Sequence, residues 1–345
     1  MQNWILIILP VLSIASALWS DFPAVSFKGG AQFLITTIIG IWGGYCIKPR
    51  ILISALMSAL ILLAVLSVLD GSHAFNRFSG EYTLIGVFGS KNYFALCISL
   101  LLLTAVTVSL DRSQPLVFRV LGIAGSCLAA PLLMYAHSVG ALVVCVSALI
   151  ISLALRIALR LSSISRITLV ILMLLLIICV VAVLSFQIDT ADLLGYFGKD
   201  VTLTGRTLLW EYAAESIADK PLLGGGYQAF WQVGNSSAEQ LWFYSYIPSK
   251  YGYHFHNTFL QITVDLGFVG LAVFGLFLVL TVLRIFVCLF GRTASTEQIL
   301  AMTLFVFLLL RTPLEVDLFF QFQLPSILIC LIWIYLKPAA DRQMS

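Results

Sequence analysis

The sequence predicts an all-α polytopic membrane protein with about ten transmembrane helices. Three observations favour this class: 61% of the 345 residues are apolar, only 10% are charged, and the apolar residues are gathered into long runs. Soluble domains are nearer to half apolar and a quarter charged. The formal net charge of +3 gives no nucleic-acid footprint. Water-soluble, disordered and nucleic-acid-binding proteins are therefore excluded as classes.

Ten apolar runs are candidates for membrane helices. They cover residues 4–19, 31–47, 51–69, 93–110, 116–136, 139–155, 167–186, 258–283, 298–311 and 318–336. Several are shorter than the ~20 residues that a perpendicular span needs. The first run lacks a preceding basic segment and has Trp4 and Trp19 at its two ends, so we expect a retained helix and not a cleaved signal peptide.

The runs divide the chain into three segments. Residues 1–186 predict an N-terminal transmembrane bundle of about seven helices, residues 187–257 a large outer loop, and residues 258–345 about three further helices. The seven cysteines lie in or beside the apolar runs without metal-ligand spacing or a disulfide framework, so we expect them to pack as small apolar residues.

Basic residues predict the orientation. One side of the membrane receives Lys48, Arg50, Arg112, Arg119, Arg156, Arg160, Arg166, Arg284, Arg292, Lys337 and Arg342. Half of the remaining basic residues lie in the long loop, which carries little weight in the positive-inside rule. Both termini are therefore expected in the cytoplasm. The four histidines, His73, His137, His254 and His256, then fall on the outer side, where we expect the polar chemistry.

The loop 187–257 is the most informative segment, because plain connections are typically ~4 to 6 residues long. It is rich in aromatic residues, which serve either as interfacial anchors or as surfaces that stack on sugar rings. Within it, a helix of some 14 residues is predicted, with Thr204 or Gly205 as its cap and Pro221 as its stop. Such a helix is too short to span and is expected to lie along the outer surface as an amphipathic helix.

Two residues of this loop suggest chemistry. A cation at Arg206, in the first helical turn, opposes the helix dipole, whereas a phosphate or diphosphate would satisfy both the guanidinium and the free backbone amides. Pairing with a loop carboxylate is the alternative. His256 lies at the water–membrane boundary and is suited to proton transfer, unless it is a boundary residue without a role. No carboxylate or thiolate completes a metal spacing with His254 and His256, so no metal site is predicted.

Several motifs together carry a resemblance. TGRTLLW, KPLLGGG, FHNTFLQ and DLGFVG follow one another in the order typical of the O-antigen ligase and polymerase superfamily. SALWSDFPAVSF and GVFGSKNYFAL are similar to its exopolysaccharide polymerase branch. The resemblance implies a C-type glycosyltransferase fold that uses a glycan on undecaprenyl diphosphate at the periplasmic face of the bacterial inner membrane. It also implies a metal-independent, cofactor-free reaction with Arg206 and His256 as the catalytic residues. Asp265 stands where the family more often has Glu, so it is assigned no role.

Other polar and glycine residues of these motifs form the predicted substrate-binding set. Lys91 and Arg311 are outer-side cations that either converge on the diphosphate or pair with lipid headgroups. Glu315 is either the partner of Arg311 or a carboxylate near the acceptor. The remaining members of the set are Asn92, Asn257, Trp210, Gly224 and Gly226.

Three functions remain open from the sequence. A polymerase joins repeat units on the lipid carrier, whereas a ligase moves the glycan to lipid A core or another saccharide acceptor; the GSKN and WSDFP segments favour the polymerase. A transporter of the lipid-linked glycan is the alternative from another class, but the apolar runs are almost free of charge and show no internal repeat. The expected partners are the lipid-linked glycan, membrane lipids, and chain-length regulator and flippase proteins.

Overall fold

The computed structural model describes residues 3–76, 81–158, 206–290 and 295–337, together with short stretches and single residues between 161 and 179. The chain divides into two compact units. The first comprises Met1–Gly44, Ser185–Phe286 and Arg311–Ile334, and the second comprises Tyr45–Leu184, Val287–Leu310 and Tyr335–Ser345. Much of the predicted run 167–186, and all of the predicted loop before Arg206, lie outside the described residues.

The described residues are mostly helical. The helices are α1 Trp4–Ala15 (continued by a 3-10 turn, Ser16–Leu18), α2 Pro23–Cys46, α3 Pro49–Asp70, α4 Lys91–Leu110, α5 Leu116–Tyr135, α6 Val139–Ala158, α7 Arg206–Asp219, α8 Ser236–Tyr244, α9 Thr258–Phe290, α10 Thr296–Arg311 and α11 Leu324–Tyr335. Two short strands, β1 His73–Asn76 and β2 Glu81–Leu84, pair in antiparallel register with His73 opposite Leu84.

Six of the described helices are long and apolar enough to cross a membrane: α2, α3, α4, α5, α6 and α9. Helices α1 and α11 are apolar but shorter. Because a span needs roughly 20 apolar residues, these helices confirm a polytopic membrane protein. The number of about ten spans remains a prediction.

Three elements differ from the sequence prediction. Helix α2 begins at Pro23, well before the predicted residue 31. A helix can begin at proline because the first turn needs no amide hydrogen there. Lys28 lowers the local hydropathy but does not interrupt the helix. Helix α11 begins only at Leu324, and the preceding segment is not helical; there the carbonyl of Phe319 accepts a hydrogen bond from the Tyr227 hydroxyl at 2.7 Å. The β1–β2 hairpin is an addition to the predicted all-α class.

In the second unit, α4 is the central helix and is buried along most of its length. Helix α5 packs closely against it at Gly122, where an added Cβ would lie 2.7 Å from the carbonyl oxygen of Ala105. Small residues allow such close approach between membrane helices, where dispersion contacts contribute most of the packing energy.

In the first unit, helix α9 is interrupted at Gly267, whose φ of +63° lies in the left-handed region. The interruption frees the next two amides from the helix. The Phe268 amide donates to the Pro221 carbonyl at 2.8 Å, and the Val269 amide donates to the Leu222 carbonyl at 3.2 Å. The loop after α7 therefore replaces one turn of hydrogen bonds in α9.

The same loop also binds the carbonyls that the interruption leaves free. The amide of Gly225 donates to Val264 and that of Gly226 donates to Asp265, both at 2.9 Å. An added Cβ at Gly224 would lie 2.5 Å from the Asp265 carbonyl carbon, so only glycine allows this approach. The KPLLGGG and DLGFVG motifs thus bind each other through their backbones, and four polar backbone groups at the interruption find partners in the loop.

Replacing Gly267 by alanine is expected to lower the stability of the protein by on the order of 3 kcal/mol. The substitution adds left-handed strain, and its Cβ would lie 2.2 Å from the carbonyl carbon of Leu222. The thermal transition of the purified protein in detergent measures the effect. Gly275→Ala, at a position in the same helix with nothing within 4 Å, is the matched control. Equal transitions for the two variants would contradict the account of the interruption.

Candidate active site

The site is built at the start of α9. Asn257 caps this helix, because its side-chain oxygen accepts the amides of Phe259 at 2.9 Å and Leu260 at 3.2 Å. The preceding residue, His256, has a φ of +51°, which is unusual for a residue with a side chain. Strained backbone of this kind is concentrated at functional sites and persists only where neighbouring contacts enforce it.

Glu315 reaches the site from the loop that follows α10. A turn brings it there, since the amides of Leu314 and Glu315 both donate to the carbonyl of Arg311. Thr258 then ties this loop to α9: its amide donates to the Thr312 carbonyl at 2.8 Å, and its hydroxyl donates to the Glu315 carbonyl at 2.7 Å. These bonds hold the loop after α10 next to the start of α9 independently of the side chains of Glu315 and His256.

Arg206 and His256 meet at the carboxylate of Glu315. Nη2 of Arg206, the first residue of α7, lies 3.2 Å from Oε1, and Nδ1 of His256 lies 3.1 Å from Oε2. All three side chains are largely shielded from solvent. The two residues that the sequence singles out as catalytic thus share one partner, although they are far apart along the chain.

The charge state of Glu315 follows from these neighbours. Burial acts to raise its pKa, but the charges of His256, Arg206 and His254 and the hydrogen bond from His256 outweigh burial and hold the pKa well below its usual range. An ionised carboxylate only accepts hydrogen bonds. Nδ1 of His256 must therefore carry its hydrogen, and in the neutral ring Nε2 keeps its lone pair.

His254 is the site residue that the sequence considered only as a metal ligand. Its Nδ1 accepts the backbone amide of His256 at 3.1 Å, and its Nε2 lies 3.8 Å from Oε2 of Glu315. The two imidazole rings are 4.3 Å apart. The bond to the amide supports the left-handed backbone of His256. The two-residue spacing in YHFHN was the available signal, because it allows one ring to reach the amide of the other residue.

The protonation of His254 gives a stability prediction. Burial lowers its pKa from 6.5 to about 3, and the neighbouring His256 acts in the same direction. Between these two pH values, His254 binds a proton in the unfolded chain but not in the folded protein. Its contribution to the free energy of unfolding is therefore fully present above about pH 6.5 and is lost as the pH decreases towards 3. Thermal transitions measured from pH 7 to about pH 5 should fall less steeply for His254→Phe than for the wild type. Parallel slopes would contradict this assignment.

An aromatic core packs around Phe255, the residue between His254 and His256. Phe255 is buried among Phe230, Trp231 and Trp242, and its carbonyl accepts the indole N–H of Trp210 at 3.0 Å. Part of the aromatic set of the loop is therefore folded into a core. Other members remain at the surface, with Phe243 and Tyr251 each 86% exposed.

Several members of the predicted substrate-binding set have structural contacts. Asn257 caps α9, and Trp210 donates to the Phe255 carbonyl. Gly224 allows the close backbone approach to α9, and Gly226 allows a close approach to Ser20 in the segment after α1. Their binding of substrate remains a prediction. Asp265, to which no role was assigned, accepts hydrogen bonds from the Gln228 amide at 3.0 Å and the Gln261 side chain at 3.1 Å.

The two further cations of the predicted set are Arg311, which belongs to the first unit, and Lys91, which belongs to the second. Arg311 is only 3% exposed and forms an ion pair with Asp317, its Nε lying 2.5 Å from Oδ2. Lys91 and Asn92 form the start of α4 in the second unit, where Ser90 caps the helix by accepting the Tyr93 amide. Roles for Lys91, Asn92 and Arg311 on a diphosphate remain predictions.

A metal ion has a conceivable ligand set in this site, contrary to the expectation from spacing alone. One ligand atom each of His254, His256 and Glu315 lies within 4.8 Å of the others. The missing carboxylate comes from a distant part of the chain. However, Oε1 of Glu315 already binds Arg206, and Nδ1 of His254 already accepts an amide. Arg206 and a backbone amide therefore already use part of the binding capacity of this ligand set.

We call Arg206, His254, His256 and Glu315 the charged cluster. The apolar helices and this charged cluster define an integral membrane protein with a polar site at the start of one of its helices. A family model described as O-Antigen ligase matches residues 124–275, a range that includes Arg206 and His256. The exopolysaccharide production protein ExoQ of Rhizobium meliloti (strain 1021) is 30% identical over 321 residues, which cover 92% of this chain and 73% of ExoQ. The chain belongs to the O-antigen ligase family.

Proteins described as putative polysaccharide ligases are similar over a shorter range. The protein from Rickettsia typhi (strain ATCC VR-144 / Wilmington) is 31% identical over 93 residues, covering 27% of this chain and 23% of its own length. The protein from Rickettsia felis (strain ATCC VR-1525 / URRWXCal2) is 31% identical over 96 residues, again 27% and 23%. These similarities support a role in polysaccharide assembly.

Proposed function

We propose that this protein polymerises oligosaccharide repeat units carried on undecaprenyl diphosphate into an exopolysaccharide or O-antigen. The reaction is a metal-independent glycosyl transfer at the periplasmic face of the inner membrane. The observation that carries the proposal is the convergence of Arg206 and His256 on one carboxylate of Glu315. In this proposal His256 is the proton acceptor and Arg206 the cation, the two groups that transfer from a lipid diphosphate requires.

His256 serves the attacking hydroxyl. Because Glu315 holds the Nδ1 hydrogen, Nε2 is free to accept the hydroxyl proton as the oxygen attacks the anomeric carbon. The new C–O bond forms as the bond from the anomeric carbon to the phosphate oxygen breaks, and the proton passes to Nε2. Glu315 then stabilises the imidazolium, as the orienting carboxylate does in other dyads of this kind.

Arg206 serves the leaving group. Negative charge develops on the phosphate oxygen as the bond to the sugar breaks, and a preorganised guanidinium stabilises that charge in the transition state. The guanidinium has five N–H donors, so its bond to Glu315 leaves others for the diphosphate. Its position at the first residue of α7 also lies at the positive end of the dipole of that helix, which favours an anion.

The polymerase is chosen over the ligase because the GSKN and WSDFP segments are similar to the exopolysaccharide polymerase branch. ExoQ, described as an exopolysaccharide production protein, aligns with 92% of the chain, whereas the putative polysaccharide ligases align with 27%. Deleting the gene and sizing the lipid-linked glycans tests the choice. Accumulated single repeat units support a missing polymerase, and long unattached chains would indicate a ligase that transfers finished glycan to lipid A core or another acceptor. Movement of the lipid-linked glycan across vesicles without bond formation would indicate a transporter.

Metal independence gives a separate prediction. We expect the purified protein to retain full polymerising activity in excess EDTA, because Arg206 supplies the positive charge beside Glu315. The measurement is the amount of polymer formed from lipid-linked repeat units with and without chelator. Loss of activity that a divalent ion restores would show that His254, His256 and Glu315 hold a metal.

A further inference from the structure

Two motifs that the charged cluster does not use meet elsewhere in the first unit. The WSDFP segment after α1 binds the KPLLGGG segment after α7 at three points. The Trp19 indole N–H donates to the Leu223 carbonyl at 2.9 Å, the Asp21 amide donates to the Gly225 carbonyl at 3.2 Å, and the Lys220 ammonium lies 2.5 Å from Asp21 Oδ1. The two loops form one continuous surface.

A pocket with a cavity volume of about 170 Å³, partly open to solvent, lies beside this surface. Its polar lining comes from both loops, from the end of α7 and from the start of α8, and includes Asp21, Lys220, Ser216, Asp219 and Asn235. This volume is below the ~300 to 1,000 Å³ of sites for drug-sized ligands, so the pocket suits a single small group such as one sugar ring. Backbone and ion-pair contacts hold together the two loops that line it.

Asp219 has a position in this pocket that its own helix does not explain. It is the last residue of α7, where a carboxylate opposes the helix dipole. It forms no ion pair or hydrogen bond with any residue that the structure describes, although Lys220 is adjacent to it in sequence and pairs with Asp21. Asp219 is exposed to solvent where it lines the pocket, so its carboxylate is accessible to a ligand with hydroxyl donors.

The chemistry of the lining selects the kind of ligand. Two carboxylates and one ammonium give the pocket a small net negative charge, which disfavours an anion. The Ser216 hydroxyl and the Asn235 amide, each already hydrogen-bonded within the protein, line the pocket with their remaining polar capacity. Phe230, 7% exposed, contributes a small apolar surface. A sugar ring combines hydroxyl groups around its rim with apolar C–H faces, so a neutral saccharide satisfies both kinds of surface.

The distance to the charged cluster fixes which sugar is bound. Helix α7 has Arg206 at its first residue and Asp219 at its last, so the two ends are roughly 20 Å apart at 1.5 Å per residue. Therefore the pocket does not hold the sugar that reacts at His256, but one separated from it by several units of the same glycan.

We propose that this pocket is a second saccharide-binding site, which holds a neutral sugar of the growing glycan away from the reacting end. The inference rests on the proposed polymerase function. A glycan bound at two places along α7 dissociates less often between additions than one bound only at the reacting end, because the second contact raises the effective concentration of the chain at the site. The pocket thereby favours long products.

The test uses the purified full-length protein in nanodiscs and oligosaccharides of one to four repeat units cut from the polysaccharide of the strain that carries the gene. Calorimetric titration of these fragments is expected to show about tenfold weaker binding for Asp219→Ala, which removes the charged acceptor, and for Ser216→Trp, which fills the pocket. Glu215→Ala, which removes an exposed carboxylate of the same helix outside the pocket, should bind as the wild type does.

Product length is the second measurement. Cells carrying Asp219→Ala are expected to make shorter polysaccharide than cells carrying Glu215→Ala, at equal protein abundance. Fragment binding that is unchanged in Asp219→Ala, or absent in the wild type, would overturn the second site. If Ser216→Trp fails to fold, the result for Asp219→Ala alone decides.

His256→Ala separates the proposed second site from the proposed transfer mechanism. Fragment binding without polymer supports both, whereas normal polymer from His256→Ala refutes the transfer mechanism and leaves the binding result to decide the pocket.

Discussion

Replacing His256 or Arg206 by alanine is expected to abolish polymer formation while the protein remains inserted and abundant. Loss of a general base costs ~10² to 10⁴ in rate, and loss of a preorganised group that stabilises developing negative charge costs ~10² to 10³. Both side chains end at one carboxylate and lie outside the aromatic core, so we expect that core to form in either variant. The measurement is the length and amount of glycan made by a deletion strain that carries each variant.

The matched control for this pair is His73→Ala, which removes an exposed histidine of the second unit. It should restore wild-type glycan to the deletion strain. Immunoblotting of membrane fractions shows whether each variant is inserted at the same level. Normal glycan chains from His256→Ala or from Arg206→Ala would remove that residue from the mechanism.

Local signals in the sequence were sufficient to predict the two helix starts that carry Arg206 and His256. The capping residues and the Pro221 stop predict a helix in the loop, and α7 spans Arg206–Asp219 with Arg206 in its first turn. The FHN motif lies at the start of α9, as the end of the polar segment indicates. Both signals depend on residues within one or two helical turns, which is the range over which capping and turn chemistry act.

The partners of the charged residues were not predictable in the same way. The sequence left Glu315 as a partner of Arg311 or as a separate carboxylate; the structure pairs Arg311 with Asp317 and places Glu315 between Arg206 and His256. These choices depend on the turn after α10 and on its bonds to Thr258, which are long-range contacts without a local sequence signal.

The interruption of α9 shows a second limit. Its residues form one mainly apolar run in which Gln261 and Asp265 are isolated, so hydropathy indicates a continuous helix. The triple glycine after Pro221 likewise reads as a simple stop for α7. In the structure, the amides and carbonyls around Gly267 exchange their helical partners for those of the 221–226 loop. A backbone exchange of this kind depends on which two segments meet, and side-chain patterns carry no information about that meeting.

Glu315→Gln is expected to reduce turnover by on the order of 10³-fold, with the KM for lipid-linked repeat units much less affected. The amide has one accepting oxygen where the carboxylate has two, so Arg206 and His256 can no longer both be satisfied. If the amide nitrogen faces His256, the ring loses the acceptor for its Nδ1 hydrogen and the proton moves to Nε2, which removes the lone pair that the attacking hydroxyl needs. Binding of the glycan depends mainly on other contacts and persists.

The control for this variant is Glu211→Gln, which makes the same chemical change at an exposed carboxylate of α7. Turnover and the thermal transition are measured on the same samples, so that a folding defect is separated from a chemical one. A purely structural Glu315 would lose activity only in proportion to folded protein, whereas an orienting Glu315 loses kcat in protein that is still folded. Wild-type kcat in folded Glu315→Gln would show that His256 is oriented by something other than this carboxylate, and the proposed proton transfer would have to be reassigned.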